Sequence, residues 1–248
     1  MTERPFSRER AHHYWIERHR RYSGSWQSVG MLDGSDELNR VFYACRQRSM
    51  KIALKECGID LSGLRVLDAG CGNGAFSQTY QLAGARVWGV DISPDAVSRC
   101  ESLGLGTFVV GSLDEVAVRF QGPFDIIHCF DVLYHLTDED EWQSTLAAFA
   151  ALSHEGTLWL LTEFRAMEGG SGALHLKKRP LAKYQRELAR HGRCISLEMP
   201  LYWFYSACPR LAKRFPSWIL LAERLGWLAK LWMKEYVTLW MPAAKAQC

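Results

Sequence analysis

Five short apolar segments alternate with helical stretches through the middle of the chain, and no other feature narrows its fold as far. They are Arg65–Ala69, Arg86–Val90, Gly106–Val110, Phe124–Phe130 and Thr157–Glu163. Strands this apolar, separated by helices, belong in a parallel sheet buried on both faces, a doubly wound α/β architecture. Local signals agree. Pro94 suits a first helical turn after Ser93. Thr137 is predicted to cap a helix whose positive first turn carries Asp138, Glu139, Asp140 and Glu141. Trp142, Leu146, Phe149 and Leu152 then form one apolar stripe on that helix.

The two ends differ from the middle. Residues 8–22 and 36–57 have helical patterns and form a cap before the first strand. After Glu163 come a glycine-rich loop (Gly169, Gly170, Gly172), a basic helix near Leu181–His191 and a strand candidate at Cys194–Phe204. Helical residues from about 209 to 232 follow, and Tyr236–Met241 alternates like a strand before Pro242. With 248 residues, 48% of them hydrophobic, the chain suffices for one domain. Its parts are a helical cap (1–60), a core of alternating strands and helices (61–165) and a tail (166–248).

Several classes are disfavoured. No apolar run approaches the roughly 20 residues that span a bilayer, and the polar, arginine-rich start lacks a secretory apolar segment. The eight cysteines show neither C-x-x-C nor zinc-finger spacing, so reduced thiols and a cytoplasmic setting are expected. Arg65–Arg165 holds five basic and 14 acidic residues, so an acidic middle lies between basic ends. Solvated surface charge explains this most simply; the sharper reading is that the flanks meet an anionic substrate or surface. Nucleic acid is not expected, because the basic residues are dispersed and no separate binding module is evident.

The segment Val66-Leu67-Asp68-Ala69-Gly70-Cys71-Gly72-Asn73-Gly74-Ala75 reads as strand, glycine turn and helix start. Glycines permit positive φ and close approach to a ligand, and the following helix presents free N–H groups. Gly70, Gly72 and Ala75 also satisfy a dinucleotide fingerprint, so a nicotinamide oxidoreductase enters the comparison. Three features weigh against it. Asp68 disfavours a pyrophosphate and suits a cationic amino-acid moiety. Val87–Asp91 is a second strand ending in an acid 17 residues after Gly74, placed to accept both hydroxyls of a ribose. Phe124–Leu136, a strand with the turn beyond it, has no counterpart in that fingerprint.

In order and spacing, Val66–Ala75, Val87–Ser93, Gly111–Leu113, Phe124–Leu136 and Gly156–Glu163 resemble the successive motifs of class I (Rossmann-like) S-adenosylmethionine-dependent methyltransferases. The resemblance is strong over about residues 60–165 and weak in the tail. It implies a seven-stranded, mostly parallel sheet whose antiparallel last strand is Tyr236–Met241, with a helical insertion at 209–232. It also implies S-adenosylmethionine as cofactor and S-adenosylhomocysteine as product. Asp68, Gly70, Gly72 and Gly74 would line the methionine and ribose end, and Asp91 would bind the ribose hydroxyls. Ile92 would lie against the adenine, Ser112 and Leu113 at its edge, and Phe130 would touch the methionine part through its backbone. One departure stands out. Gly111-Ser112 occupies the place of the glycine-aspartate of many members, which removes a charge-assisted contact to the adenine amino group.

Methyl transfer from a sulfonium is an in-line displacement that positioning and water exclusion accelerate. A hydroxyl acceptor also needs help losing its proton. His135, just past the fourth strand, is the first candidate base, equally readable as an anchor of the turn before Thr137. Tyr134 is the weaker alternative, and His128 reads as a core histidine. Asp131 alone offers a place for a metal ligand, so no metal is expected. For the substrate pocket, Tyr14, Trp15, Tyr22 and Trp26 are candidate cofactor caps, equally readable as aromatic packing. Tyr43 and Arg46 share a helix face, with Arg46 either gripping an anionic group or solvated, the latter favoured. His175, Lys177 and Arg179 make a basic loop, and Tyr202, Trp203, Phe204 and Tyr205 an aromatic cluster. The basic amphipathic stretch after residue 209 is read first as core or lid; contact with a membrane surface ranks below that. The expected function is methylation of an oxygen, nitrogen or carbon of a small molecule. A peripheral-membrane enzyme for a lipid-linked acceptor and a non-catalytic cofactor-binding protein are the alternatives.

Overall fold

A computed structural model describes residues 6–164, 173–201, 208–223 and 235–242. Parallel strands β1 (Arg65–Ala69), β2 (Arg86–Asp91), β3 (Thr107–Val110), β4 (Phe124–Cys129) and β5 (Ser153–Phe164) form the sheet core in the order β3-β2-β1-β4-β5. The α/β Rossmann-like arrangement expected from the apolar segments is therefore present. Beyond β5, β7 (Glu235–Pro242) pairs antiparallel with β5 and with β6 (Arg193–Leu201), extending the sheet to seven strands. The strands are short and apolar because both faces are covered. Val66, Ile126, Leu158 and Leu160 pack on one side, and Leu67, Ile127, Trp159 and Leu161 on the other.

Helices α3 (Ala75–Leu82), α4 (Pro94–Ser102), α5 (Val116–Arg119), α6 (Glu139–Ala151) and α7 (Leu181–Arg190) follow successive strands or loops. Ser93 caps α4 with Pro94 in its first turn, as its residues suggest. The cap of α6 is Asp138 and not Thr137: the Asp138 side chain accepts the Glu141 N–H at 2.9 Å. The Thr137 hydroxyl instead donates to the Phe6 carbonyl, 2.8 Å away. Trp142, Leu146, Phe149 and Leu152 are buried as one stripe.

Two helices precede the sheet, α1 (Arg8–Arg21) and α2 (Asp36–Glu56), joined through a 3-10 turn at Trp26–Ser28. Between β6 and β7 the described helices are short, Pro209–Arg214 and Ser217–Glu223; residues 224–232 of the expected helical stretch lie outside the description. Among the described residues, no helix is long and apolar enough to cross a membrane.

Candidate active site

The glycine turn is built by its neighbours. Gly70, Gly72 and Gly74 all have positive φ. The Gly70 and Cys71 N–H groups donate to the Val90 carbonyl, tying the turn to the tip of β2 (2.8 and 3.0 Å). A side chain at Gly72 would also meet Val29, 2.8 Å away, and one at Gly70 would collide with Val132.

Gly70 and Gly72 form one wall of a cavity at the carboxyl ends of β1, β2 and β4. Asp91, Ile92, Ser112, Leu113 and Phe130, all expected from the sequence, line it. Asp91 is 8% exposed; its Oδ2 accepts the Gly72 N–H and its Oδ1 the Ser93 N–H, both at 2.9 Å. A carboxylate has about four lone-pair directions, so two stay available to a ligand.

Two of the expected cofactor residues do not reach this cavity. Asp68 is buried beneath the turn, where the Ser77 hydroxyl donates to it at 2.5 Å, and burial raises its carboxyl to about 7. Gly74 caps α3 and faces Leu105 and Cys100 on the other side of the turn. Both shape the turn and stand outside the cavity lining.

His135 lines the opposite part of the cavity. Its Nδ1 donates to the His175 carbonyl at 3.0 Å. A carbonyl oxygen can only accept, so Nδ1 carries the proton and Nε2 holds the free lone pair. Burial lowers the ring to about 3, so it is neutral at ordinary pH. Trp15 stands edge-on, its ring 4.5 Å from the imidazole. Tyr134, the alternative, is buried outside the cavity lining, with its hydroxyl donating to Asp131 Oδ1 at 2.9 Å. His128 is a core residue as read: it meets the Tyr80 hydroxyl at 3.1 Å, and burial lowers it to about 3.

Asp131 has φ of 61°, the one non-glycine positive φ among the described residues. Its N–H donates to Thr162 Oγ1 (2.6 Å), and its carboxylate meets Arg46 Nε (2.5 Å) as well as Tyr134. Arg46 is therefore buried in an ion pair and not solvated. Among the described residues, no group of three or more His, Cys, Asp or Glu side chains could hold a metal ion.

The cap places a different set of side chains from the one expected. Ala11, His12, Trp15 and His19 of α1, with Val29 and Tyr43, close the cavity. Tyr14 stacks on His175 with rings 4.7 Å apart, beside the site and outside its lining. Tyr22 ends α1 under the Arg21 guanidinium, also away from it. Trp26 packs on Tyr43, 5.1 Å between rings, and burial raises the Tyr43 phenol. His175 contributes its carbonyl to His135, and burial lowers its ring.

The basic loop is consumed internally. Lys177, Arg179 and Lys183 meet the Glu139 carboxylate at 3.0, 3.3 and 2.5 Å. Partial burial opposes its ionisation, but Lys183, Lys177 and Arg179 prevail and lower Glu139 to about 2. Arg179 also donates to the Leu136 carbonyl (2.8 Å), pinning the turn that carries His135. Tyr202 and Trp203 lie outside the described residues.

Sequence reasoning missed His12, His19 and Glu141, which line the cavity with Trp15. Ala11, Trp15 and His19 recur at four-residue spacing, a helical stripe that marks one face of α1.

A methyltransferase-domain family model matches residues 36–227. The chain belongs to this methyltransferase family. A ubiquinone biosynthesis O-methyltransferase from Aromatoleum aromaticum is 41% identical over 101 residues, 39% of this chain and 42% of the relative. One from Xanthomonas oryzae pv. oryzae is 36% identical over 85 residues, 32% of this chain and 36% of the relative. The matches thus span less than half the length of these curated relatives. Magnesium protoporphyrin IX methyltransferase from Synechocystis PCC 6803, solved with bound S-adenosylhomocysteine, superposes with a TM-score of 0.64 at 20% identity. That superposition covers 95% of this chain and 100% of the other. A TehB-like S-adenosylmethionine-dependent methyltransferase from Corynebacterium glutamicum gives 0.53 at 16% identity, over 81% of this chain and 96% of that one. At these identities the structural likeness speaks for the shared fold.

Proposed function

We propose that this chain transfers the methyl group of S-adenosylmethionine to an oxygen of a small molecule and releases S-adenosylhomocysteine. One observation carries the reading: a single cavity joins the Gly70–Gly72 turn, the buried Asp91 carboxylate, an apolar slot of Ile92, Leu113 and Leu136, and a neutral His135. The residues suit a cationic cofactor. Asp131 and Glu141 in its lining are paired with Arg46 and with Arg8 and His12, whereas Asp91 meets backbone N–H groups. The Asp91 carboxylate and the aromatic ring of Trp15 favour a cationic ligand. Oxygen as acceptor is supported by the O-methyltransferase names of the partial relatives.

When bound, S-adenosylmethionine supplies a methyl group already attached to a good leaving group. The protein's part is to hold the acceptor in line and to receive its proton. An imidazole titrating near 3 is a weak base. His135 Nε2 therefore accepts a hydrogen bond from the acceptor hydroxyl and orients it, without removing the proton beforehand. Closure by α1 keeps water from the reacting centre. Cap, sheet core and the tail act as one domain, the tail reaching the site through the His175 carbonyl that holds His135.

Titration calorimetry with S-adenosylhomocysteine and NADH, followed by assay of S-adenosylhomocysteine release with hydroxylated aromatic and carboxylic acceptors, tests this. Binding of S-adenosylhomocysteine alone, with acceptor-dependent turnover, is expected. NADH binding, or no S-adenosylhomocysteine binding, would overturn it; binding without turnover across all acceptors would favour a non-catalytic protein. A second reading, contact with an anionic membrane surface, is favoured by exposed Leu211, Phe215, Trp218 and Leu221 beside Arg210, Lys213 and Arg214. Sedimentation with anionic and neutral liposomes decides it.

A further inference from the structure

The place where many family members carry an aspartate is filled here by Ser112, whose hydroxyl faces Arg8 Nη2 at 3.4 Å. An acidic acceptor is nonetheless present beside it, from a different element. Glu141 stands in the first turn of α6, lines the same cavity as Ser112 and Leu113, and is 2% exposed. Three neighbours face it. His12 Nε2 donates to Oε1 at 2.6 Å, Arg8 Nε lies 3.7 Å from the same oxygen, and the helix N-terminus favours a carboxylate. The second oxygen, Oε2, is buried and has no hydrogen-bond partner among the described residues. A buried carboxylate oxygen is seldom left unpaired, and one that lines a cavity takes its donor from a ligand or water entering it.

Given the proposed cofactor, the donors on its adenosine half are the ribose hydroxyls and the exocyclic amino group. Asp91, at the tip of β2, is positioned for the hydroxyls. Ile92, Leu113 and Leu136 offer the apolar slot a purine ring needs. We propose that Glu141 Oε2 accepts a hydrogen bond from the adenine amino group, so that α6 supplies the acidic acceptor missing from the end of β3. His12 and Arg8 act as positioning residues: by occupying Oε1 they leave Oε2 as the acceptor. Arg8 is itself fixed by Asp114 at 2.8 Å.

The inference rests on the reading of S-adenosylmethionine as cofactor, and the test separates the two. Calorimetry compares S-adenosylhomocysteine with S-inosylhomocysteine, which carries a carbonyl oxygen in place of the amino group. The protein as it stands should prefer the adenosine compound by about ten- to hundredfold, since a carboxylate facing a carbonyl loses a charge-assisted bond. Glu141→Gln, whose amide can donate to that carbonyl, should lower this preference at least tenfold. A merely structural Glu141 would weaken both ligands by one factor and leave the ratio unchanged, which overturns the proposal. Equal affinities in the unsubstituted protein overturn it as well, whatever the variant does. Should Glu141→Gln not fold, a crystal structure of the unsubstituted protein with S-adenosylhomocysteine decides: Oε2 at hydrogen-bond distance from the amino nitrogen supports it, and separation beyond that distance sinks it. Failure to bind S-adenosylhomocysteine at all removes the cofactor reading, and this inference with it.

Discussion

Replacing Asp91 by alanine has two consequences that can be measured apart. The carboxylate accepts backbone N–H groups from Gly72 and Ser93, so alanine leaves both donors unpaired in a nearly closed place. An unpaired buried group costs about 1–3 kcal/mol, and water admitted through the cavity will relieve part of it. For a chain of this length, 1 kcal/mol moves the melting temperature by about 2–4 °C, so a drop of roughly 3–10 °C is expected. The ligand loses more. Two hydroxyl bonds to a carboxylate are together worth about 2–4 kcal/mol, which is roughly 30- to 1,000-fold in affinity. Asp91→Asn separates the effects, because its amide oxygen can still accept one backbone N–H while the charge is gone. It should melt closer to the unsubstituted protein yet bind S-adenosylhomocysteine nearly as poorly as Asp91→Ala. Calorimetry gives the affinity and a thermal melt the stability. A folded Asp91→Ala that binds S-adenosylhomocysteine with undiminished affinity would refute the assignment, leaving Asp91 as a clamp on the glycine turn.

Three further outcomes follow from the same geometry. Gly72→Val combines a positive φ with a collision at Val29, so it should abolish S-adenosylhomocysteine binding and lower the melting temperature; normal binding would mean that the turn does not meet the cofactor. His135→Ala should cut turnover by about 10- to 100-fold through lost orientation of the acceptor, with cofactor affinity unchanged and no His135-dependent limb in the rate between pH 5 and 8. A rate that falls with a titration near 6.5, abolished in His135→Asn, would instead make the ring a true base. Finally, burial lowers His128 and His135 to about 3, so below the ordinary value near 6.5 the unfolded chain binds more protons at both sites. Stability should therefore fall as pH drops from about 6.5 towards 3, by up to about 1.4 kcal/mol per pH unit for each ring. Asp68, raised to about 7, acts oppositely between about 4 and 7, because there the folded chain holds the extra proton. Thermal melts of His128→Phe across pH 4–8 should show a shallower acid slope; an unchanged slope would mean that His128 is not buried neutral.

Much of this was legible locally. The five core strands lie where their apolar runs are, because residues buried on both faces of a parallel sheet have no polar alternation to disguise them. Gly70, Gly72 and Asp91 could be located from spacing, since a tight turn after one strand and an acid ending the next are set by a few covalent bonds, while Ile92 and Leu113 were implied by the resemblance to the methyltransferase motifs. Boundaries were less secure. Thr137 and Asp138 are both good caps, and the choice went to Asp138 once Thr137 was drawn to the Phe6 carbonyl from the other end of the domain.

What the sequence alone determined, then, is the strand–turn–helix framework and the acid on its second strand, both products of short-range geometry. What only the tertiary structure decided is the company each charge keeps. Arg46 reads as a solvated surface residue until Asp131, 85 positions away, is found against it. Tyr22 and Trp15 are equally aromatic on paper, and the packing angle of α1 turns Trp15 towards the cavity and Tyr22 away. Glu139, Asp140 and Glu141 are three acids in one helical turn. The sheet beneath and α1 above send Glu139 to three cations and bury Glu141 in the cavity wall. Burial of a charge depends on every element packed around it, and that information is spread along the whole chain, not held in any local motif.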